Sequence, residues 1–355
     1  MPDTMRAWRT HAYGAPRDAL SLDTVPIPDP EAGEVRVRVH AVPLNLNDLE
    51  RITGGNMMVR PELPAIPGME VMGVVDACGE GVDDAWHGRR VVAIAKGATG
   101  GFAEHAICPV VGTFPMPDDI ALPGAAALFF PFHLAWLGLF DRAGLEKGES
   151  VLIHAAAGGA GSAAVQLAKH AGARVFAAAG GPEKVALCRE LGADLAIDYT
   201  ANDFAPVVLR ETGGRGVDVV FDNVGEAVME QSMNALAYNG RYVMMGFASN
   251  KAVADEQFLV PRRIALGNMK LCGVLLSYAD DDRAGLVKTA LGWNLPPARL
   301  GAQIMTDVIR LVRDGAVRPV VGKVVGFDEI PAAIEAMADR RTTGRTVVVV
   351  DPEAA

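Results

Sequence analysis

Along the first 120 residues apolar and polar side chains alternate in short runs. Glu34 to Val42 (EVRVRVHAV) sets valine against arginine or histidine at every second position, the period of a strand with one buried face. Val71 to Val75, Val91 to Ala95 and Phe102 to Cys108 read as further strands, with Pro64, Pro67, Gly68, Gly79 and Gly81 in the connections. From about Gly148 strands and helices alternate. Ser150 to His154 reads as strand, Gly161 to Ala171 as helix, Arg174 to Ala178 as strand and Pro182 to Leu191 as helix. Strand Leu195 to Asp198, a helix near Ala205 to Thr212, strand Val217 to Asp222, a helix near Ala227 to Ala237 and strand Gly240 to Met245 follow. That order implies a parallel sheet covered on both faces, and right-handed crossovers make it doubly wound. Leu271 to Val274 reads as its last strand, Ala279 to Arg283 as a charged connection, and Gly301 to Arg313 as a long amphipathic helix. Val347 to Val350 is apolar enough to need a partner sheet, and the local pattern does not say which.

Ala121 to Phe140 is as long as a membrane span and carries no formal charge. Pro123, Gly124 and Pro131 interrupt it and His133 sits inside, so two short buried helices meeting at Pro131 are expected, and no membrane span.

The 355 residues exceed what one core usually organises, so about two domains are expected. A net charge of -10 gives no global field for a phosphate backbone, which argues against nucleic acid as principal partner. Cys78, Cys108, Cys188 and Cys272 are scattered, without a C-x-x-C pair, so neither a disulfide framework nor a cysteine-rich zinc site is supported. A reducing cytoplasm fits that usage, and no signal peptide is visible near Met1.

The chemistry is concentrated in Val151 to Lys169 (VLIHAAAGGAGSAAVQLAK), where a strand runs through Ala156-x-Gly158-x-x-Gly161 straight into a helix. This is the dinucleotide fingerprint with alanine in place of its first glycine. A small residue at Ala156 suits the tight turn, Gly158 lets the backbone approach a pyrophosphate, and Gly161 permits close helix packing. The second strand ends in Ala177-Ala178-Ala179-Gly180-Gly181, without the Asp or Glu that takes the ribose 2′-hydroxyl of NAD. Lys184 is a candidate counter-charge for a 2′-phosphate and Tyr199 a hydroxyl donor, which favours NADPH. The alternative has Lys184 as a solvated helix residue and Tyr199 as a packing aromatic.

On these residues the chain resembles the medium-chain dehydrogenase/reductase superfamily, and within it the zinc-independent quinone oxidoreductases. The resemblance runs through residues 154–175, 182–199, 216–225 and 240–249, with PLNLNDLERITG (43–54) and PGMEVMGVV (67–75) earlier. It implies a GroES-like β-rich catalytic domain from residues 1–130 and 277–355, a Rossmann dinucleotide-binding domain from 131–276, and an active site in the cleft. It further implies a homodimer or homotetramer, with the strand near Leu271 to Val274 pairing across the interface. Pyrophosphate contacts are implied for Gly158, Gly159, Ala160 and Gly161, 2′-phosphate contacts for Lys184 and Tyr199, and nicotinamide-side positions for Asn223 and Gly246, Phe247, Ala248 and Ser249. Asn45 and Asp48 match an N-x-x-D pair lining the substrate cleft. Zinc-dependent relatives carry Gly-His-Glu where this chain has Gly68-Met69-Glu70, and a thioether is a poor zinc ligand, so no metal is expected. Two positions depart from the family. Leu134 stands where many relatives have Thr, and Gly181 where a Ser or Thr is common near the 2′-phosphate.

Without a metal, rate must come from holding the nicotinamide close to an electrophilic carbon and from stabilising charge on the acceptor oxygen. Asn45 is the candidate donor, with Asp48 orienting it. The alternative has Asn45 capping a turn and Asp48 capping a helix that starts near Leu49. The expected activity is NADPH-dependent reduction of a quinone or an α,β-unsaturated carbonyl. Enoyl-thioester reduction and a non-catalytic NADPH-binding sensor or structural protein stand beside it.

Overall fold

A computed structural model describes residues 3–55, 61–245 and 261–354. Two compact units divide the chain: residues 1–129, 277–305 and 319–355 form one, and residues 130–276 and 306–318 the other.

In the first unit the strands Val321–Gly326, Arg345–Val349, Glu34–Pro43, Glu70–Cys78, Arg90–Ile94 and Thr113–Pro115 lie side by side in that order, and His105–Pro109 also pairs with Glu34–Pro43. The alternation in Glu34–Pro43 does what its period requires. Val35, Val37 and Val39 are buried with Val71, Val75, Val91 and Ala93, while Arg36 and Arg38 face outward to Asp76 and Asp351. Val347 and Val348 are also fully buried, worth about 1.5–3 kcal/mol each, because Arg345–Val349 sits between Val321–Gly326 (parallel) and Glu34–Pro43 (antiparallel). The C-terminal strand therefore completes a sheet begun 300 residues earlier.

The second unit holds a parallel sheet in the order Leu195–Asp198, Arg174–Ala179, Ser150–Ile153, Val217–Asp222, Leu236–Met244, Lys270–Gly273. Successive strands first step to one side of Ser150–Ile153 and then to the other, so the direction of winding reverses between Ser150–Ile153 and Val217–Asp222. Val151 to Ile153 and Val219 to Phe221 have no exposed surface, as expected of strands covered on both faces.

Several expectations change. Pro131 does not separate two helices: it falls in the first turn of Phe129–Trp136, where the amide it lacks would have had no intrahelical acceptor, and the helix continues into a π-type segment Leu137–Arg142. Ala279 to Arg283 is not simply a connection. Asp280 accepts from the amide of Arg283 at 2.8 Å and caps the helix Asp281–Leu291, which shows no apolar stripe because it buries none of its side chains. The helix near Ala227 to Ala237 is Glu226–Asn234, and the strand expected from Gly240 begins at Leu236. Residues 306–318, expected with the β-rich domain, belong to the parallel-sheet unit. There the Gln166 side chain donates to the carbonyl of Arg318 at 3.0 Å and accepts from its amide at 2.8 Å.

Candidate cofactor and substrate sites

The strand Ser150–Ile153 leads into a turn and then into the helix Gly159–His170, with Gly158 at the N-cap. The left-handed position of this turn is Ala155, at φ 45°, one residue before Ala156. The alanine that replaces the first fingerprint glycine therefore carries no positive φ, and the replacement costs nothing there. Ala156 is fully buried, its amide donating to Ala178 at 3.1 Å, so it ties the turn to the neighbouring strand. At Gly161 a methyl group would lie 2.2 Å from the carbonyl oxygen of Ala155 and 2.7 Å from Cα of Ala156, so only glycine allows the helix to start this close to the strand. The amides of Gly159, Ala160 and Gly161 belong to the first helical turn, which has no intrahelical acceptors. Such a terminus favours an anion, so the turn fits a pyrophosphate.

One strand over, Arg174–Ala179 ends at Gly180 and Gly181, and Gly181, at φ 87°, caps the helix Pro182–Glu190. Lys184 lies in the first turn of that helix, half-buried, and Tyr199 is about half exposed. Tyr199 leans on this glycine pair, because a methyl group at Gly180 would lie 2.7 Å from its hydroxyl oxygen. Local reading found no carboxylate at this end. The tertiary structure brings one: Oδ1 of Asp198, at the end of Leu195–Asp198, accepts from the amide of Gly181 at 3.0 Å and from the amide and hydroxyl of Thr200 at 3.0 and 2.6 Å. The Thr200 hydroxyl, with these amides, holds the Asp198 carboxyl below its ordinary range. Asp198 ends the strand after the one whose end carries the acidic residue in an NAD site, so the spacing from the fingerprint does not point to it.

Beyond Val217–Asp222, Asn223 begins a turn built on Asp222. Gly246, Phe247, Ala248 and Ser249 lie outside the described residues.

In the other unit Asn45 and Asp48 are buried and hydrogen-bonded. Asn45 is the N-cap of the helix Leu46–Thr53, three residues earlier than a start near Leu49. Asp48, at N3, accepts from the Asn45 amide and from the Met69 amide, both at 2.8 Å. The Asn45 side chain donates to the carbonyl of Pro43 at 3.1 Å and to Glu70 at 3.3 Å, and accepts from Nη1 of Arg345 at 2.8 Å. Arg345 also donates through Nη2 to Glu70 at 2.6 Å, with 7% and 1% of the two side chains exposed. Glu70 and Arg345 were not singled out from the sequence. No pattern joins residues 45, 70 and 345, and only the pairing of the C-terminal strand with Glu34–Pro43 brings them together. The amide hydrogens of Asn45 are thus engaged inside the protein, and burial pushes the Asp48 carboxyl up to about 6 despite Arg51 nearby. Met69 is buried, with its sulfur 3.5 Å from Nδ2 of Asn47. Among the described residues no three His, Cys, Asp or Glu side chains are grouped to hold a metal ion, and no helix is long and apolar enough to cross a membrane.

Residues 31–118 match the family model described as an alcohol dehydrogenase GroES-like domain, and residues 159–291 match the one described as a zinc-binding dehydrogenase. A quinone oxidoreductase-like protein 2 homolog of Nematostella vectensis is 31% identical over 317 residues, covering 89% of this chain and 81% of that protein. The Streptomyces orinoci spectinabilin polyketide synthase system protein NorB is 36% identical over 341 residues, 93% of this chain and 14% of that much longer protein. Among solved structures, a mycobacterial protein complexed with NADPH superposes with a TM-score of 0.83 at 28% identity, covering 98% of this chain and 100% of its own. The chain belongs to the medium-chain dehydrogenase/reductase superfamily, on its quinone oxidoreductase-like side.

Proposed function

We propose that this protein is a zinc-independent, NADPH-dependent oxidoreductase that reduces a quinone or an α,β-unsaturated carbonyl compound. The observation that carries the reading is the turn Ala155 to Gly161, whose glycine at 161 leaves no room for a side chain and whose helix presents its first amides to an anion. When bound, NADPH supplies a hydride. The chain's own part is to hold the pyrophosphate at Gly158, Gly159, Ala160 and Gly161 and the 2′-phosphate at Lys184 and Tyr199. Charge developing on the acceptor oxygen would be met by the Asn45 amide, which exchanges its 3.3 Å contact with Glu70 for the substrate. Asp48 keeps Asn45 at the helix N-cap, and water supplies the proton. The thioether of Met69, where zinc-dependent relatives have histidine, supports a reaction without zinc. Lys270–Gly273 pairs with Leu236–Met244 and forms the edge of its sheet, the edge through which a homodimer or homotetramer would form. Light scattering after size exclusion reads that state.

The test is loss of NADPH absorbance with 1,4-benzoquinone, naphthoquinones and small enones; failure to turn over any of them sinks the proposal. Lys184→Ala should raise the KM for NADPH about tenfold and leave that for NADH within about twofold, since a charged hydrogen bond to phosphate is worth about 1.5–3 kcal/mol. Equal effects on both dinucleotides remove Lys184 from the site. Similarity to the polyketide synthase protein favours a second reading, reduction of an enoyl thioester. Turnover of crotonyl-CoA at a higher kcat/KM than any quinone selects it.

A further inference from the structure

In the first unit the C-terminal strand meets the chain just before the helix Leu46–Thr53. Arg345–Val349 runs antiparallel to Glu34–Pro43 with Val347 opposite Pro43, and the Leu44 amide donates to the carbonyl of Thr346 at 2.9 Å, which brings Arg345 opposite Asn45. Glu70 opens the strand on the other side of Glu34–Pro43, and all three side chains are buried. Their bonds leave the Asn45 amide one orientation. Arginine only donates, so the atom 2.8 Å from its Nη1 is Oδ1, and the Pro43 carbonyl only accepts, so the atom 3.1 Å from it is Nδ2. Turned over, the amide would set its oxygen against the carbonyl and its hydrogens against the guanidinium. The second hydrogen of Nδ2 is held differently. Its acceptor is Oε2 of Glu70 at 3.3 Å, just beyond the usual range, and the same Oε2 accepts from Nη2 of Arg345 at 2.6 Å. The short charge-assisted bond claims that oxygen, and the amide hydrogen is left loosely held. Arg345 also neutralises Glu70, whose bare charge would oppose a negative oxygen arriving beside it.

We propose that Arg345 and Glu70 are positioning residues that act through Asn45. Arg345 fixes which end of the Asn45 amide is offered to the acceptor and, by drawing Glu70 to itself, leaves one amide hydrogen ready to pass to the acceptor oxygen. The inference rests on the role given to Asn45 above and assigns neither residue to the dinucleotide.

A double-mutant cycle on the whole protein tests this, reading kcat and the KM for NADPH with the best acceptor among 1,4-benzoquinone, naphthoquinones, small enones and crotonyl-CoA. Asn45→Ala removes the donor and should lower kcat about a hundredfold. Arg345→Gln leaves the donor in place but unfixed and should lower kcat about tenfold. Because Arg345 acts only through Asn45, adding Arg345→Gln to Asn45→Ala should lower kcat by less than a further factor of about two. The KM for NADPH should stay within about twofold of the parent in all three variants. A general loosening of the fold by Arg345→Gln would persist in the Asn45→Ala background, so a further tenfold loss there overturns the proposal. Parent-like kcat in Arg345→Gln overturns it too, as does a rise in the KM for NADPH as large as the fall in kcat, which would place Arg345 on the dinucleotide. Should Arg345→Gln not fold, the same cycle runs on Arg345→Lys, which keeps a charge for Glu70 without the fixed spacing of two donors. Its loss, about threefold in kcat, must likewise vanish in Asn45→Ala. A parent protein that turns over none of the acceptors overturns the functional reading together with this inference, whereas an active parent with additive losses overturns the inference alone.

Discussion

Asp48 shows how much of a site residue's behaviour comes from its surroundings. In the sequence it is the fourth member of an N-x-x-D pattern; in the fold it is fully buried, with amides of Asn45 and Met69 on its oxygens and its pKa pushed up to about 6. The folded protein then holds this proton more tightly than the unfolded chain, whose Asp titrates near 4. The stability so contributed is full below about pH 4 and lost as pH rises to about 6. Asp48→Asn should flatten the fall in unfolding free energy between pH 4 and 6, read from urea titrations at several pH values. Parallel slopes for the two proteins would refute that. Asp198 makes the opposite case, because hydrogen bonds hold its carboxyl below the ordinary range and its carboxylate braces Gly181, at the N-cap of the helix that carries Lys184. Asp198→Asn removes a negative charge beside Gly181, next to the proposed 2′-phosphate site, and should shift kcat/KM toward NADPH over NADH by about threefold, the modest effect of a solvent-screened charge. A shift toward NADH would place the 2′-phosphate elsewhere.

At the scale of elements, periodicity found the strands and most helices, but it missed a helix that buries no side chain and misread one that is apolar all round. The helix Asp281–Leu291 lacks an apolar stripe, so its only local sign was the run of aspartates that caps it. Phe129–Trp136 is apolar all round, and in such a segment a proline reads as a break wherever it stands. Its effect depends on how many residues precede it in the helix, and here only two do. Pro131→Ala should therefore change unfolding free energy by less than about 1 kcal/mol, whereas proline placed at Ala135, one turn later, should cost about 3 kcal/mol or more. Chemical denaturation of both variants checks the contrast, and a large loss in Pro131→Ala would mean that the proline shapes the helix. The fingerprint was legible as a motif, with its glycine at 161 in the role its spacing implies. That Ala155, and not Ala156, carries the positive φ was not legible, because a turn distributes strain among neighbours of the same residue type.

At the scale of the whole molecule, two valines in neighbouring C-terminal strands have opposite environments. Val348 is completely buried between Val321–Gly326 and Glu34–Pro43, and Val324, its partner strand's residue, is 48% exposed. Val348→Asp should cost more than about 4 kcal/mol or prevent folding, and Val324→Asp less than about 1 kcal/mol, as thermal unfolding will read. Similar losses at both positions would contradict the placement of the C-terminal strand. The sequence by itself determined the alternating strands of the first unit, the strand–helix alternation of the parallel doubly wound unit and the glycine turn of the dinucleotide fingerprint, because each is built from short segments that carry a repeating period or a steric need. Only the tertiary structure decided which sheet takes the last strand, that Arg345 closes a buried network with Asn45 and Glu70, and that Asp198 stands beside Gly181. The first two join residues far apart in the chain through strand register and burial, the third joins the ends of two neighbouring strands, and no local pattern carries them.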